Sequence, residues 1–145
     1  MRSLKKFLLE KGYIKVPLVF TKTNHFEVIA QLNDIEGRFI LDTGASNTCV
    51  GFDCIKHFNL ISKDSEVKAS GAGATNMLTQ ISKKNSLQIG GWKKQKVNIV
   101  LFDLNHVNSA LTLHEAMPVH GIIGADILKT GKAIIDYDKK MLFLK

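Results

Sequence analysis

The chain has 145 residues and 45% hydrophobic content, enough for one domain that buries its own core without disulfide or metal cross-links. It contains no apolar run of membrane-spanning length, and Glu10 and Lys11 end the first apolar stretch early, so we expect neither a membrane span nor a signal peptide. The net charge of +7 comes mostly from scattered lysines without interleaved aromatic residues. Because nucleic-acid sites favour arginine and aromatic platforms, we expect no specific nucleic-acid partner.

The first third of the chain predicts a short helix followed by β-strands. Residues 1–12 are interpreted as an N-terminal extension, with a short helix that ends at Gly12, and residues 13–145 as the domain. The pattern then predicts strands over 14–21, 26–32 and 38–41, separated by polar turns.

The last of these strands delivers Asp42 into a turn of small residues, Thr43, Gly44, Ala45 and Ser46. An ionised carboxylate at the end of a buried strand is costly unless something pairs or solvates it. Taken alone, the pattern fits an Asx turn or a helix cap as well as it fits a working site. A later segment of the chain has to decide between these interpretations.

The middle of the chain predicts a strand over 48–51 and a short helix over 52–60, with Phe52, Ile55 and Phe58 facing inward. Strands over 77–89 and 92–102 are predicted to form a long hairpin around Gly90-Gly91.

A glycine-rich stretch, residues 67–77, precedes this hairpin and holds Gly71-Ala72-Gly73. It lacks the third glycine of a dinucleotide site and the lysine of a P-loop. Two interpretations remain: a hairpin tip, or a mobile lid whose backbone meets a ligand.

The last third predicts a loop over 104–119, with a helical turn near 110–117 that Pro118 ends. Next comes a short apolar strand between Gly121 and Gly124, then a helix with Asp126 in its first turn. A terminal hairpin over 132–144 closes the chain.

The cysteines and histidines give no metal-binding pattern. Cys49 and Cys54 are expected to be reduced thiols in a cytoplasmic protein rather than a disulfide. Together with His57 they lack the spacing of a zinc knuckle, and no fourth ligand follows. The other histidines show no i,i+4 pair, so we expect them on the surface or in loops. We predict no metal and no cofactor.

Two motifs, taken in order, carry a resemblance. Asp42-Thr43-Gly44-Ala45-Ser46 follows an apolar strand, and Gly121-Ile122-Ile123-Gly124-Ala125-Asp126-Ile127-Leu128 comes near the end, with hairpins between them. From about Val16 to Lys145 the chain resembles the retropepsin-like aspartic proteases, the single-lobe relatives of pepsin. The resemblance implies an all-β fold: a closed, mainly antiparallel barrel with one or two short helices.

The resemblance also implies roles for individual residues. Catalysis in this family uses two aspartates, and because this chain has one Asp-Thr-Gly, a homodimer is implied, with Asp42 from each subunit on the two-fold axis. Thr43 would brace the two turns, and Gly44 would let the backbone approach the carboxylates. The flap over the substrate would be Gly71, Ala72 and Gly73. Structural support of the site would come from Ala45, Ser46, Ile122, Ile123, Gly124 and Asp126.

Position 45 is Ala, where the pepsin-like pattern has a Ser that can hydrogen-bond the carboxylate. Losing a hydrogen bond to the charged form makes a carboxyl less acidic. We therefore expect activity at mildly acidic rather than strongly acidic pH.

Three hypotheses follow from these residues. The leading one is an aspartic endopeptidase that hydrolyses peptide bonds in extended polypeptides. The alternative is a non-catalytic module of the same fold that binds peptides or dimerises. A third, a basic domain associated with nucleic acid, predicts an affinity that falls steeply with salt.

Overall fold

A computed structural model describes residues 2–64, 69–71 and 74–145, with side chains described outside 64–77. The helices in these ranges are α1 (Leu4–Glu10), α2 (Asn105–Leu113) and α3 (Ala125–Thr130). The strands are β1 (Ile14–Pro17), β2 (Val19–Phe20), β3 (Phe26–Leu32), β4 (Ile35–Leu41), β5 (Cys49–Gly51), β6 (Lys63–Asp64), β7 (Ala69–Gly71), β8 (Ala74–Met77), β9 (Gln80–Ile89), β10 (Trp92–Phe102), β11 (Gly121–Ile123), β12 (Ile134–Asp136) and β13 (Met141–Leu144). None of the helices in the described ranges is long and apolar enough to cross a membrane.

Six strands close into a barrel in the order β3-β4-β11-β5-β10-β9. The ring closes where β9 pairs back onto β3, through Gln31 with Gln88 and Leu32 with Leu87. Two of the six pairings, β4 with β11 and β5 with β10, are parallel, and the other four are antiparallel. The closed, mainly antiparallel all-β barrel expected from the sequence is confirmed.

The barrel interior is filled by the alternate residues of its strands. On β3 the buried side chains Val28, Ala30 and Leu32 point inward, while Ile29 and Gln31 are exposed. This two-residue period is what a sheet with one buried face requires. The same cluster includes Phe39, Leu41, Val50, Leu87, Ile99, Leu101 and Ile123.

A second apolar cluster lies on the outside of the barrel, under α2. It consists of Ile40, Cys49, Val100, Phe102, Leu104, Leu111, Val119 and Ile122. Residues 104–119 were expected to be a loop with one helical turn near 110–117, and this was wrong, because the helix runs from Asn105 to Leu113. The described residues therefore contain three short α-helices, where one or two were expected.

Contacts with the rest of the fold stabilise α2. The Asn105 N–H donates to the Asp103 carboxylate at 2.8 Å, which satisfies a free donor at the helix start. The side chain of Asn108 binds both the N–H and the carbonyl of Val119, so the helix is clamped to the chain that leads into β11. Leu111 then packs into the outer cluster.

Two predictions about local structure need correction. The strand predicted over 14–21 is divided at Leu18 between β1, which pairs with β13, and β2, which pairs with β3. The helix predicted over 52–60 is only a 3₁₀ turn, Phe52–Cys54, followed by further turns. Phe58 is fully buried as expected, but Phe52 is 36% exposed.

The chain ends form a small separate sheet in the order β1-β13-β12. The predicted terminal hairpin of β12 and β13 is confirmed. Both edges of β13 are already paired within the chain, so the outer edges of this sheet belong to β1 and β12.

Candidate active site

Asp42 lies where β4 leaves the barrel. Its backbone N–H donates to the Ile123 carbonyl at 3.0 Å, which fixes the start of the turn against β11. Its carboxylate accepts a hydrogen bond from the Gly44 N–H at 2.8 Å, the geometry of an Asx turn. The residue is half-buried and lines a cleft. The Asx turn expected as one interpretation is therefore present, and the same turn places the carboxylate at the cleft.

Strand β11 is inserted between the two strands that flank this turn. Ile122 pairs with Ile40 of β4 on one side and with Cys49 of β5 on the other. Ile123 pairs with Leu41, the residue before Asp42. The loop from Asp42 to Thr48 therefore has both of its ends held by a single buried strand.

Gly124 allows the segment after β11 to pass directly behind the turn. A Cβ atom built at this position would lie 2.7 Å from the Ala45 carbonyl oxygen and 2.9 Å from the backbone of Asn47. Those atoms are backbone and cannot move aside without shifting the turn. The next N–H, that of Ala125, donates to the same Ala45 carbonyl at 2.7 Å. Ser46, which lies between Ala45 and Asn47 in the loop, is exposed.

Thr48 and Asp126 form a buried polar connection below the turn. The Asp126 carboxylate oxygen Oδ1 accepts from the Thr48 hydroxyl at 2.7 Å, the Thr48 N–H at 2.9 Å and the Ile127 N–H at 2.8 Å. The Thr48 hydroxyl in turn accepts from the Gly124 N–H at 3.0 Å. The end of the turn and the start of α3 are therefore joined through one threonine hydroxyl.

Thr43 lies on the outer side of the turn and is exposed. It borders a groove of about 410 Å³ whose other lining residues belong to or flank α3 and β12: Ala125, Leu128, Lys129, Lys132, Ala133 and Ile135. Of the predicted flap residues, Gly71 ends β7, which pairs with β8. Ala72 and Gly73 lie outside the described residues.

The cleft at Asp42 has a volume of about 520 Å³, within the range of small-ligand and peptide subsites. Its apolar lining comes from both faces of the site, Ile40 and Ile122 beside the turn and Val107, Ala110 and Leu111 on α2. Besides Asp42, its polar lining consists of Lys22, Thr23, Asn24, His25, His106 and His114.

The sequence interpretation missed the contribution of α2 to this cleft. His106 and His114 are eight residues apart with Ala110 midway, so they lie on one helix face. A search for i,i+4 histidine pairs passes over this spacing. A search for i,i+4,i+8 positions would have found His106, Ala110 and His114 as a group, although only the fold places this group beside Asp42.

A pair of histidines lies beside the strands that hold the turn. The His120 ring accepts a hydrogen bond from the Arg38 N–H at 3.0 Å and stacks on His57 with ring centroids 4.9 Å apart. Burial lowers the pKa of His120, and the neighbouring His57 and Arg38 lower it further.

The cysteines are unsuited to nucleophilic or metal chemistry. Burial in the outer cluster raises the pKa of Cys49 to about 12, and burial together with Asp53 raises that of Cys54 to about 11. Among the described residues, no three acidic, histidine or cysteine side chains gather so that they could hold a metal ion.

Comparison with known families gives one match over most of the chain. Residues 28–127 match the family model described as aspartyl protease. Among curated proteins, the chain is similar to DNA damage-inducible protein 1 of Phaeosphaeria nodorum, with 26% identity over 137 residues and 92% of this chain. The matched region covers 28% of that relative, so the chain spans less than a third of the relative's length.

Solved structures share the fold. A retropepsin-like aspartic protease from Rickettsia conorii has a TM-score of 0.61 and 19% identity, covering 92% of this chain and 90% of its own. The EIAV protease in complex with the inhibitor HBY-793 has a TM-score of 0.59 and 18% identity, covering 81% and 98%. The retroviral protease-like domain of Ddi1 from Leishmania major has a TM-score of 0.54 and 17% identity, covering 82% and 86%. The resemblance stated from the two motifs is confirmed at the level of the fold.

Proposed function

The chain belongs to the aspartyl protease family, and from this we propose that it is an endopeptidase that hydrolyses extended polypeptides with two Asp42 side chains. The observation that carries the proposal is the Asp42 carboxylate presented at a cleft by a turn that β11 holds at both ends. A site held this firmly suits chemistry that depends on the position of a carboxylate.

Two carboxylates about 3 Å apart cannot both ionise, so a pair of aspartates shares one proton. The ionised member takes a proton from a water molecule, whose oxygen attacks the carbonyl carbon of the peptide bond. The protonated member donates its proton to the carbonyl oxygen. As the tetrahedral intermediate collapses, the carboxyl that took the proton from water gives it to the leaving nitrogen, a hydroxyl of the intermediate returns a proton to the other carboxylate, and the C–N bond breaks. The pair again holds one proton, and no covalent enzyme intermediate forms.

The second carboxylate would come from a second copy of the chain. The sequence contains one Asp-Thr-Gly, and Thr43 is exposed beside the groove that α3 and β12 border. With a two-fold axis near Thr43, the groove of each subunit would form part of the interface, and the two Asp42 turns would lie next to each other. We propose that the partner also meets the outer edges of the terminal sheet, on β1 and β12, since β13 is paired on both sides.

The substrate would lie in the cleft at Asp42, under a flap that would include Gly71, Ala72 and Gly73. The cleft offers an apolar floor at Ile40 and Ile122, directly beside the carboxylate. An apolar side chain next to the scissile bond would bury its surface there.

The test is cleavage of a mixed peptide library by the wild type and by Asp42→Asn. The wild type should release defined fragments at mildly acidic pH, and the variant should lose at least about 10²–10⁴-fold in rate, because it lacks the general base. Sizing at micromolar concentration should give a dimer for both proteins. Equal cleavage by the Asp42→Asn variant, or a strict monomer that cleaves, would overturn the proposal.

A second candidate function is a peptide-binding module that does not cleave. One observation favours it: the Asp42 carboxylate accepts a hydrogen bond from the Gly44 N–H, an Asx turn that stabilises the loop without any catalysis. In that case peptides would bind wild type and Asp42→Asn with equal affinity, and neither protein would produce fragments.

A further inference from the structure

The cleft at Asp42 combines an apolar floor with a rim of one charge sign. Its floor is formed by Ile40 and Ile122 beside the Asp42 turn and by Leu111 of α2. The rim is formed by Lys22 and His25 from the β2–β3 turn, by His106 of α2 and by His114, the C-cap residue of α2. The family resemblance predicted none of these four rim residues.

We propose that this rim selects peptides that carry a carboxylate side chain a few residues from an apolar side chain at the cleavage point. The proposal rests on the proposed function, since it names the substrate class of the same cleft.

The charges that face the cleft favour an acidic group on the ligand. Besides the four rim residues, Asp42 is the titratable group in its lining, and an aspartate pair carries one negative charge for two subunits. Glu115 pairs with Lys22 at 3.7 Å, but both side chains are largely exposed, so this ion pair is weak and leaves Lys22 able to meet a ligand. Glu27 lies near His25 but forms its own ion pair with Arg38 at 3.7 Å.

The histidines make the selectivity depend on pH. An imidazole side chain that binds a proton becomes positively charged, so acidification can only add positive charge to this rim. A glutamate on the ligand stays largely ionised at pH 5.5, since its ordinary pKa is about 4.3. The attraction between rim and ligand should therefore be stronger at pH 5.5 than at pH 7.5.

The spacing of the rim sets where the carboxylate would lie. At about 1.5 Å per residue, His114 at the C-cap of α2 lies roughly 12 Å along the helix axis from His106. An extended peptide advances about 3.3 Å per residue, so this distance corresponds to roughly four peptide residues. The carboxylate should matter at positions within about four residues of the cleavage point and have little effect beyond them.

The test measures peptide binding to Asp42→Asn, which needs no cleavage. Fluorescent peptides with one apolar residue at the centre carry Glu or Gln at each position in turn, and affinity is read by anisotropy. We expect the best Glu peptide to bind at least about 5-fold tighter than its Gln twin at pH 5.5, a preference that shrinks at pH 7.5 and in high salt.

Two further variants, each in the Asp42→Asn background, locate the preference. His106→Gln/His114→Gln should abolish most of it. The matched control, Lys93→Gln/Lys94→Gln, removes two positive charges from exposed positions on β10 and should keep it. Equal binding of Glu and Gln peptides, or a preference that is not reduced by loss of both histidines, would overturn the proposal. If the histidine variant fails to fold, a Glu preference that is insensitive to salt and pH overturns it instead.

The outcomes separate this inference from the proposed function. If the wild type cleaves peptides but shows no preference for Glu, the selectivity is wrong and the peptidase stands. If Asp42→Asn prefers Glu peptides but the wild type cleaves none, the peptidase is wrong and the selectivity stands.

Discussion

Replacement of Thr48 by Val removes one hydroxyl from the connection that holds the Asp42 turn to α3. Thr48 is fully buried, and Val matches it in size and branching, so the change acts through the lost hydroxyl and not through a cavity. The change deletes a 2.7 Å hydrogen bond to the Asp126 carboxylate, the charged class that contributes about 1.5–3 kcal/mol. It also leaves the Gly124 N–H, which donated to that hydroxyl, buried without an acceptor, at a further cost of about 1–3 kcal/mol.

We expect a loss of about 3 kcal/mol in the free energy of unfolding, towards the lower end of the sum. Asp126 keeps its two backbone donors, Thr48 N–H and Ile127 N–H, so its charge remains solvated. The assay is urea denaturation at one fixed chain concentration, because dimerisation would contribute to apparent stability. The matched control, Thr48→Ser, keeps the hydroxyl, removes one buried methyl and should cost only about 1 kcal/mol. If Val and Ser cost the same, the hydroxyl does not connect these segments as described.

Three further predictions concern the same site. Ala45→Ser should move the acid limb of the pH–activity profile to lower pH, because a hydroxyl beside Asp42 stabilises the charged form of the carboxyl. His120→Asn, whose side-chain oxygen can still accept from the Arg38 N–H, should remove part of the loss of stability on acidification. Wild-type His120 has a lowered pKa in the folded chain, so the unfolded chain binds its proton first, and the free energy of unfolding falls as pH drops below about 6.5, by at most about 1.4 kcal/mol per pH unit. Gly124→Ala should destabilise the protein by about 1–3 kcal/mol or more, because its methyl group meets the backbone of the Asp42 turn at Ala45 and Asn47.

Each of these has a clear contradiction. If the acid limb of the pH–activity profile is unchanged in Ala45→Ser, the residue at position 45 does not affect the acidity of Asp42. If the unfolding free energy falls by the same amount between pH 7.5 and pH 5 in wild type and His120→Asn, then His120 does not contribute to the loss of stability on acidification. Wild-type stability in Gly124→Ala would mean that the turn can move away from a methyl group without cost.

Local sequence signals were sufficient where the structure is local. The β9–β10 hairpin follows from its alternating strands and from Gly90, whose φ of +56° suits a tight turn. The Asp42 turn was found in the same way, since a short polar residue before a glycine predicts an Asx turn. The sequence pattern did not predict α2, because this helix is stabilised by tertiary contacts rather than by its own propensity. These contacts are the hydrogen bonds of Asn108 to Val119 and the burial of Leu111.

The candidate site shows the same division. The position of Asp42 could be predicted because β4 and its turn are continuous in sequence. The bond of Thr48 to Asp126 joins residues 78 positions apart, and the histidine rim joins the β2–β3 turn to α2, so both depend on the closed barrel. Motifs thus located the carboxylate, while the fold supplied its supports and the cleft beside it.

The most direct test of the central claim is peptide cleavage by mixtures of wild type and Asp42→Asn at constant total concentration, refolded together so that subunits exchange. If each active site needs two Asp42 carboxylates, only dimers of two wild-type chains cleave, and activity falls as the square of the wild-type fraction. An equal mixture should then retain about one quarter of the wild-type activity. Retention of about one half, the value for chains that act independently, would contradict an active site shared between two subunits.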